Sequence, residues 1–383
     1  MPARFIVFFS IVLVLHGLIN YYIFIHGWHA LVSYTALRPY YIAVFVVVAL
    51  SYLTGQVLER NAPTILSDVL VWTGAFWFAM MVYFLIALGL LDIIRLVNHF
   101  VPIYPEFIRQ NYATARTVFA LMLVGGVTIA IFFGYLNAIN PRVKHLAFKI
   151  DKPLAHKKLR IVALSDQHLG TIIGRSRLQD MVEKINSCDP DIVLLGGDQV
   201  DGDPRPSMAR GLGELFDSIH SRYGIFAITG NHEYIGDVEK SCVYLAEHNV
   251  RWLRDTSVVV EGLTLVGRED RSAPTINGKG RKSLAELMQT VDTSKPVILL
   301  DHQPFHLEEA EENGVDLQFS GHTHHAQIWP LSYITKRVYE VSWGYKKKGN
   351  THVYVSCGAG TWGPPVRIGN TPEIMCFDIE FGG

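Results

Sequence analysis

The first 140 residues contain no lysine, and only six arginines and four acids (Glu59, Asp68, Asp92 and Glu106) interrupt them. Four runs in this stretch, residues 5–25, 40–58, 70–91 and 118–136, are almost wholly apolar. Each is long enough to cross a hydrocarbon layer of roughly 30 Å as a helix. Core helices of a soluble protein would be shorter and would show a polar face, which these runs lack. Residues 1–140 therefore read as a bundle of four transmembrane helices. Gly125-Gly126 in the fourth run is a candidate for close helix packing, and His16 reads as a hydrogen bonder between helices. The runs hold almost no charge, so nothing marks an ion or proton path. The bundle is expected to anchor the chain, or to present a lipid, and not to transport.

An even number of spans puts both ends of the chain on one side. That side would carry Arg4, Arg60 and the cluster Arg142, Lys144, Lys149, Lys152, Lys157, Lys158 and Arg160. The excess favours a cytoplasmic C-terminal region on an inner or plasma membrane. The first run is too long for a cleaved signal peptide.

After residue 140 the composition becomes that of an ordinary globular domain, holding 28 of the 34 basic and 31 of the 35 acidic residues. A near-neutral balance does not suit a dedicated nucleic-acid binder, which needs a basic face. The four cysteines are scattered, with no CxxC pair, and read as buried thiols. Residues 141–158 read as a linker and 159–383 as one α/β domain. Short apolar strands are expected at Leu159–Leu164, Ile192–Leu195, Ile225–Ile228, Val297–Leu300 and Leu317–Phe319, with helices at Leu178–Ser187, Met208–His220, Lys240–His248 and Leu284–Thr290. Further β-rich pieces lie at Val258–Val266, Val338–Val341, Val353–Ser356 and Ile374–Ile379. Strands alternating with helices, then strands alone, suggest a layered sandwich with mixed sheets.

Five of these strands end in the same way, with a turn and then a metal-ligating side chain. The endings are Asp166-Gln167-His168, Gly197-Asp198-x-x-Asp201, Gly230-Asn231-His232-Glu233, His302 in Asp301-His302-Gln303-Pro304, and Gly321-His322-Thr323-His324. Taken singly, each is an ordinary turn. Carboxylate, imidazole and amide oxygen in this mixture suit Mn, Fe, Zn or Co better than Ca or Mg. The ligand count suits two ions sharing one carboxylate. No activated Ser or Cys nucleophile is in evidence, which leaves hydroxide held between the ions as the expected nucleophile.

In order and spacing, these motifs resemble the signature set of the calcineurin-like metallophosphoesterases, in particular the membrane-associated bacterial members. The resemblance covers roughly Arg160 to the C-terminus. It implies a four-layer α/β/β/α metallophosphoesterase sandwich binding two divalent or transition metal ions (Mn, Zn or Fe). One ion would take Asp166, His168, Asp198 and His324, and the other Asp198, Asn231, His302 and His322. It also implies that His232 stabilises the phosphoryl oxygen or leaving group as a general acid, with Asp201 orienting it. Glu233 would fix its loop. The chain departs from the pattern at His325-Ala326, where a Gly-Gly pair is common. His325 and His306 read as structural or surface histidines.

Two further segments bear on the substrate. The loop from Gly267 through Arg268, Arg271, Lys279, Arg281 and Lys282 is basic enough to receive a phosphate, or is a solvated loop. The segment from Gln327 to Trp343 mixes Trp329, Tyr333, Ile334, Tyr339 and Trp343 with Lys336 and Arg337. That mixture suits a membrane interface, and a β-hairpin packed on the domain is the competing reading. Arg367, after a glycine-rich loop, is a candidate phosphate contact along with Arg268 and Arg271. The expected function is a membrane-anchored phosphoesterase that cleaves a phosphate ester or pyrophosphate, with a lipid-linked substrate favoured. The alternative is a membrane scaffold or sensor that binds a phosphorylated ligand without turnover. Membrane lipids are the expected partners besides substrate, and no nucleic acid is expected.

Overall fold

The structure is a computed structural model that describes residues 3–61, 63–273, 278 and 280–382. Lys279 of the basic loop lies outside the described residues. The chain forms two units, Met1–Gly134 and Tyr135–Gly383.

In the first unit the apolar runs become helices α1 (Ala3–Ala30), α2 (Arg38–Asn61), α3 (Ile65–Phe100) and α5 (Tyr112–Ala138), with a short α4 (Glu106–Gln110). Four of them are long and apolar enough to cross a membrane. They outrun the expected boundaries because apolar content marks only the span, whereas the hydrogen-bond ladder continues to a cap. Thr64 and Ser67 close a capping box at the start of α3, and Pro102 follows its end.

His16 does join helices: its Nε2 lies 3.0 Å from the carbonyl of Ala49. Beside it, Trp77 Nε1 donates to Asn20 Oδ1 at 2.9 Å. The expectation for Gly125-Gly126 is corrected, since a Cβ at either would meet nothing within 4 Å among the described residues. The close approach is instead between α2 and α3, where a Cβ on Gly74 would lie 2.3 Å from the backbone nitrogen of Tyr52.

The second unit is built on two six-stranded sheets. Its strands are β1 (Arg142–Ile150), β2 (Lys158–Leu164), β3 (Ile192–Leu195), β4 (Ile225–Ala227), β5 (Val250–Trp252), β6 (Thr256–Val260), β7 (Leu263–Gly267), β8 (Val297–Leu300), β9 (Leu317–Ser320), β10 (Gly344–Lys348), β11 (Thr351–Val355) and β12 (Glu373–Phe381). One sheet runs β1-β12-β2-β3-β4-β5 and the other β10-β11-β9-β8-β7-β6.

Alternate residues of the central strands face a shared core between the sheets, including Ile161, Ala163, Ile192 and Leu194 from one sheet and Ile298, Leu300, Leu317 and Phe319 from the other. The helices 284–288 and 308–312 pack outside the second sheet on Val266, Val297 and Leu299. Helix α6 (Arg175–Ser187) packs along β12 through a buried face that includes Leu178 and Met181. The expected layered α/β sandwich is the observed one.

Four local expectations need correction. Residues 142–150 are not linker but β1, paired parallel with β12 along its whole length. Its alternating exposed side chains, several of them basic, mimic a solvated tether. Residues 208–220 do not form one helix: α7 (Arg205–Ala209) stops before Gly211, whose φ is +59°, and a 3₁₀ turn follows at Gly213–Ser218. Val258–Val266 is the hairpin β6–β7, turned at Glu261 and Gly262, both left-handed. Val338–Val341 is not a strand and the 327–343 segment is not a β-hairpin, because Ser332–Val338 is helical.

Candidate metal centre

Strands β2, β3 and β4 are parallel in one sheet, and β7, β8 and β9 in the other. All the motif residues follow the C-terminal ends of these strands, the edge at which open α/β sheets bind ligands. Asp166 and His168 follow β2, Asp198 and Asp201 follow β3, and Asn231 and His232 open α8 (Asn231–Ile235) after β4. His302 follows β8, and His322 and His324 follow β9.

The backbone pays for this convergence in conformation. Asp166, His168, Asp198, His322 and His324 all hold φ between +46° and +70°. Each such residue costs about 1–2 kcal/mol, and such outliers collect at functional sites. At Gly197, φ +95°, a Cβ would sit 2.4 Å from the His302 ring. Only glycine lets β3 pass so close.

The side chains gather in three overlapping groups, Asp166 with His168 and His324, His168 with Asp198 and His232, and Asp198 with His302 and His322; ligand atoms in each lie within 4.8 Å of one another. His168 Nε2 and His324 Nε2 face each other at 2.9 Å, and His324 Nε2 is 3.3 Å from Asp166 Oδ1. Asp198 Oδ2 stands 3.2 Å from His302 Nε2 and 3.9 Å from His168 Nε2, and belongs to two of the groups. Asn231 Oδ1 meets His322 Nδ1 at 2.8 Å. His302 donates through Nδ1 to the Gly196 carbonyl, 2.8 Å away, while its buried Nε2 makes no hydrogen bond. An orphaned buried imidazole nitrogen facing a carboxylate is a donor pair that fits a divalent cation.

The electrostatics agree with that fit. Burial opposes ionisation of Asp198, but His302, His232 and His168 outweigh it and hold the carboxyl well below the usual range. Burial, with His168 and Arg367 nearby, lowers His324 and keeps it neutral. A neutral imidazole and an ionised carboxylate are the forms that ligate metals.

Within the middle group, His232 Nδ1 lies 3.1 Å from Asp201 Oδ1. Burial alone would lower His232, yet Asp198 and Asp201 raise it to about 9. Cations on the same carboxylates would draw it back down. Glu233 ties the loops together, accepting from the backbone of Asp198 and Gly230 through one oxygen and of Val200 through the other. It does fix the turn.

The three arginines each have partners within the domain. Arg367 is fully buried behind His324, bonded to the carbonyls of His324 and Gly360 and to Asn370 Oδ1. Arg268 turns inward onto Asp301 and Glu309, and Arg271 donates to the carbonyl of Phe305. A cation flanked by glycines looks like a phosphate contact in sequence, whereas here the glycine carbonyls are its partners. His325 is buried against Ser342 and Trp343, and His306 is exposed beside Glu308. Neither joins a ligand group.

Sequence reasoning missed Trp362. Its ring meets the edge of His232 with centroids 5.6 Å apart, and it is 56% exposed. Gln327 holds its loop, accepting from the Trp362 amide and reaching the Pro364 carbonyl. The signal was a lone tryptophan among glycines and prolines at 358–365.

Comparison with known proteins agrees with this arrangement. The family description "Calcineurin-like phosphoesterase" matches residues 159–326. A metallophosphoesterase of Aquifex aeolicus is 31% identical over 66% of this chain and 96% of its own. The chain belongs to the calcineurin-like phosphoesterases. A Campylobacter jejuni metallophosphoesterase is 29% identical over 98% of this chain and 99% of its own, so that alignment includes the apolar helices. A Helicobacter pylori metallophosphoesterase is 34% identical over 63% of this chain, which spans 64% of that relative's length. All three relatives are described as uncharacterized, so the names give the class and no substrate. The class is that of metal-dependent phosphoesterases, and the ligand groups of this phosphoesterase fit divalent ions.

Proposed function

We propose that this chain is a membrane-anchored phosphoesterase that uses two divalent ions, Mn, Zn or Fe, to hydrolyse a phosphate ester or pyrophosphate, with a lipid-linked substrate. Asp166, His168, Asp198 and His324 would hold one ion, and Asp198, Asn231, His302 and His322 the other. When bound, the ions offset phosphoryl charge and make water nucleophilic at neutral pH. His232, held by Asp201, hands a proton to the leaving oxygen, and Asp198 keeps the two ligand sets in register. The orphaned His302 nitrogen supports the metal reading.

The lipid reading rests on Trp362 over His232, together with the helix Ser332–Val338. That helix exposes Tyr333 at 62% and Ile334 at 61%, beside Lys336 and Arg337. Aromatic, aliphatic and basic side chains in one patch suit the lipid interface. The basic residues after the fourth helix support a catalytic unit on the cytoplasmic face of an inner or plasma membrane, which protease protection in sealed vesicles tests.

The test of substrate class compares the purified full chain, loaded with Mn²⁺, on phospholipid and lipid-pyrophosphate micelles and on a soluble aryl phosphate. A higher kcat/KM on a micellar substrate is expected, and Tyr333→Ser with Ile334→Ser should lower it several-fold while sparing the soluble ester. Faster turnover of soluble esters would end the lipid reading and leave the phosphoesterase standing. No turnover on any ester would end both.

A further inference from the structure

Outside the centre described above, one other set of mixed ligand side chains gathers among the described residues of the second unit. His145 on β1 stands directly across from Cys376 on β12, and Asp378 lies two residues further along β12, on the same face. Their ligand atoms all lie within 4.8 Å of one another. His145 Nδ1 is 3.5 Å from Asp378 Oδ2. That is about the separation of neighbouring ligands on a tetrahedral ion with bonds of roughly 2.0–2.3 Å. Cys188, just past α6, has its thiol against that of Cys376 but stands outside that set of three.

The surroundings orient these donors. Arg160 Nε engages Asp378 through Oδ1 at 2.8 Å, which leaves Oδ2 to face His145. The same guanidinium donates to the Cys188 carbonyl at 3.0 Å, fixing the chain beside the thiol. Outer hydrogen bonds of this kind orient the ligands of metal sites. Two thiols, an imidazole and a carboxylate are a zinc-like donor set, softer than that of the phosphoesterase centre, which has no sulfur.

We propose that His145, Cys376 and Asp378 form a second, structural transition-metal site, of the zinc type, with Cys188 the neighbouring side chain that completes it. It closes the joint between β1, β12 and α6. Such an ion would pin the edge strand β1, which begins four residues after α5 ends, to the strand that carries the C-terminus. The site is independent of the reaction assigned above.

Cobalt(II) distinguishes this site from the phosphoesterase centre, because only thiolate ligands give sulfur-to-cobalt charge-transfer absorption in the near ultraviolet. Titration of the reduced full chain with Co²⁺ should develop that band. Cys376→Ser should abolish it. Cys188→Ser should weaken it without abolishing it, since Cys376, the thiol within the set of three, remains to hold the ion. His145 is 60% exposed, so His145→Ala carries little risk to folding. It should weaken cobalt binding at this band by roughly tenfold or more, no less than loss of an outer partner costs. The proposal is overturned if no band appears, or if the band survives Cys376→Ser. An unchanged band in Cys188→Ser overturns the part given to Cys188, and unchanged affinity in His145→Ala overturns the imidazole.

Discussion

The division of labour among neighbouring side chains turns on small distances. His232 pairs with Asp201 at 3.1 Å while lying close to Asp198 and His168, and the proposed role in proton transfer is separable from metal binding. His232→Ala is expected to lower kcat by about 10²–10⁴-fold on a substrate with a poor leaving group, with metal content unchanged. Equal loss on a good leaving group, such as nitrophenolate, would argue against an acid role. The pH profile tests the same assignment. An acid must hold its proton, so rate falls as pH rises through its pKa. Asp201 is one of the charges that raise His232. Asp201→Asn removes that charge, lowers the imidazole, and should move the alkaline limb to lower pH. A limb that stays, or moves up, would sink the pairing. Strain is also local. Ala326 holds φ +56°, in the left-handed region that favours glycine. Ala326→Gly should therefore stabilise the domain by up to about 1 kcal/mol, the relief of left-handed strain less glycine's added chain entropy. Thermal unfolding reads this directly. The ligands themselves were legible in the sequence because chemistry demands particular residue types at strand ends. The arginines and Trp362 were not, because only the fold decides whether a long side chain turns inward or over the site.

At the scale of elements, apolar runs that end in a turn located every strand that carries a ligand. Where a strand alternates with charged residues, as in β1, the same pattern reads as tether, and the pairing with β12 that makes it a strand is remote in sequence. Hairpins and broken helices were hidden by single residues with positive φ, Gly211 and Glu261 among them. Glycine spacing misled for a related reason, since a pair of glycines permits close packing without requiring a neighbour. Gly74 has one and Gly125 does not. Gly74→Ala should destabilise the α2–α3 pair by about 1–3 kcal/mol, the range for overpacking. Gly125→Ala should be neutral or raise helix stability by up to about 1 kcal/mol. Unfolding of both variants in detergent separates them, and the opposite ranking would refute the observed packing.

The whole chain joins an apolar unit with few charges to a domain whose centre gathers several. Asp166, Asp198 and Glu233 are all fully or nearly fully buried, within one set of loops, and Asp198 together with burial raises Glu233 to about 6. Buried carboxylates this close repel unless cations or imidazolium ions offset them. Ions that bind only the folded domain therefore add stability by mass action, about 2.7 kcal/mol at a hundredfold excess over Kd. Because the chain has two units, unfolding should show two transitions, and only one of them should respond. Adding Mn²⁺ to chelator-treated protein should raise the domain transition by several degrees, leave the apolar unit's transition in place, and restore hydrolysis in parallel. In Asp198→Asn, the residue shared by both ligand sets is neutral, so both the shift and the activity should be lost. A metal-induced shift of the same size in Asp198→Asn would mean that the ions stabilise the fold from somewhere other than the predicted centre. The cobalt band of Cys376 would then show whether that place is the joint between β1 and β12.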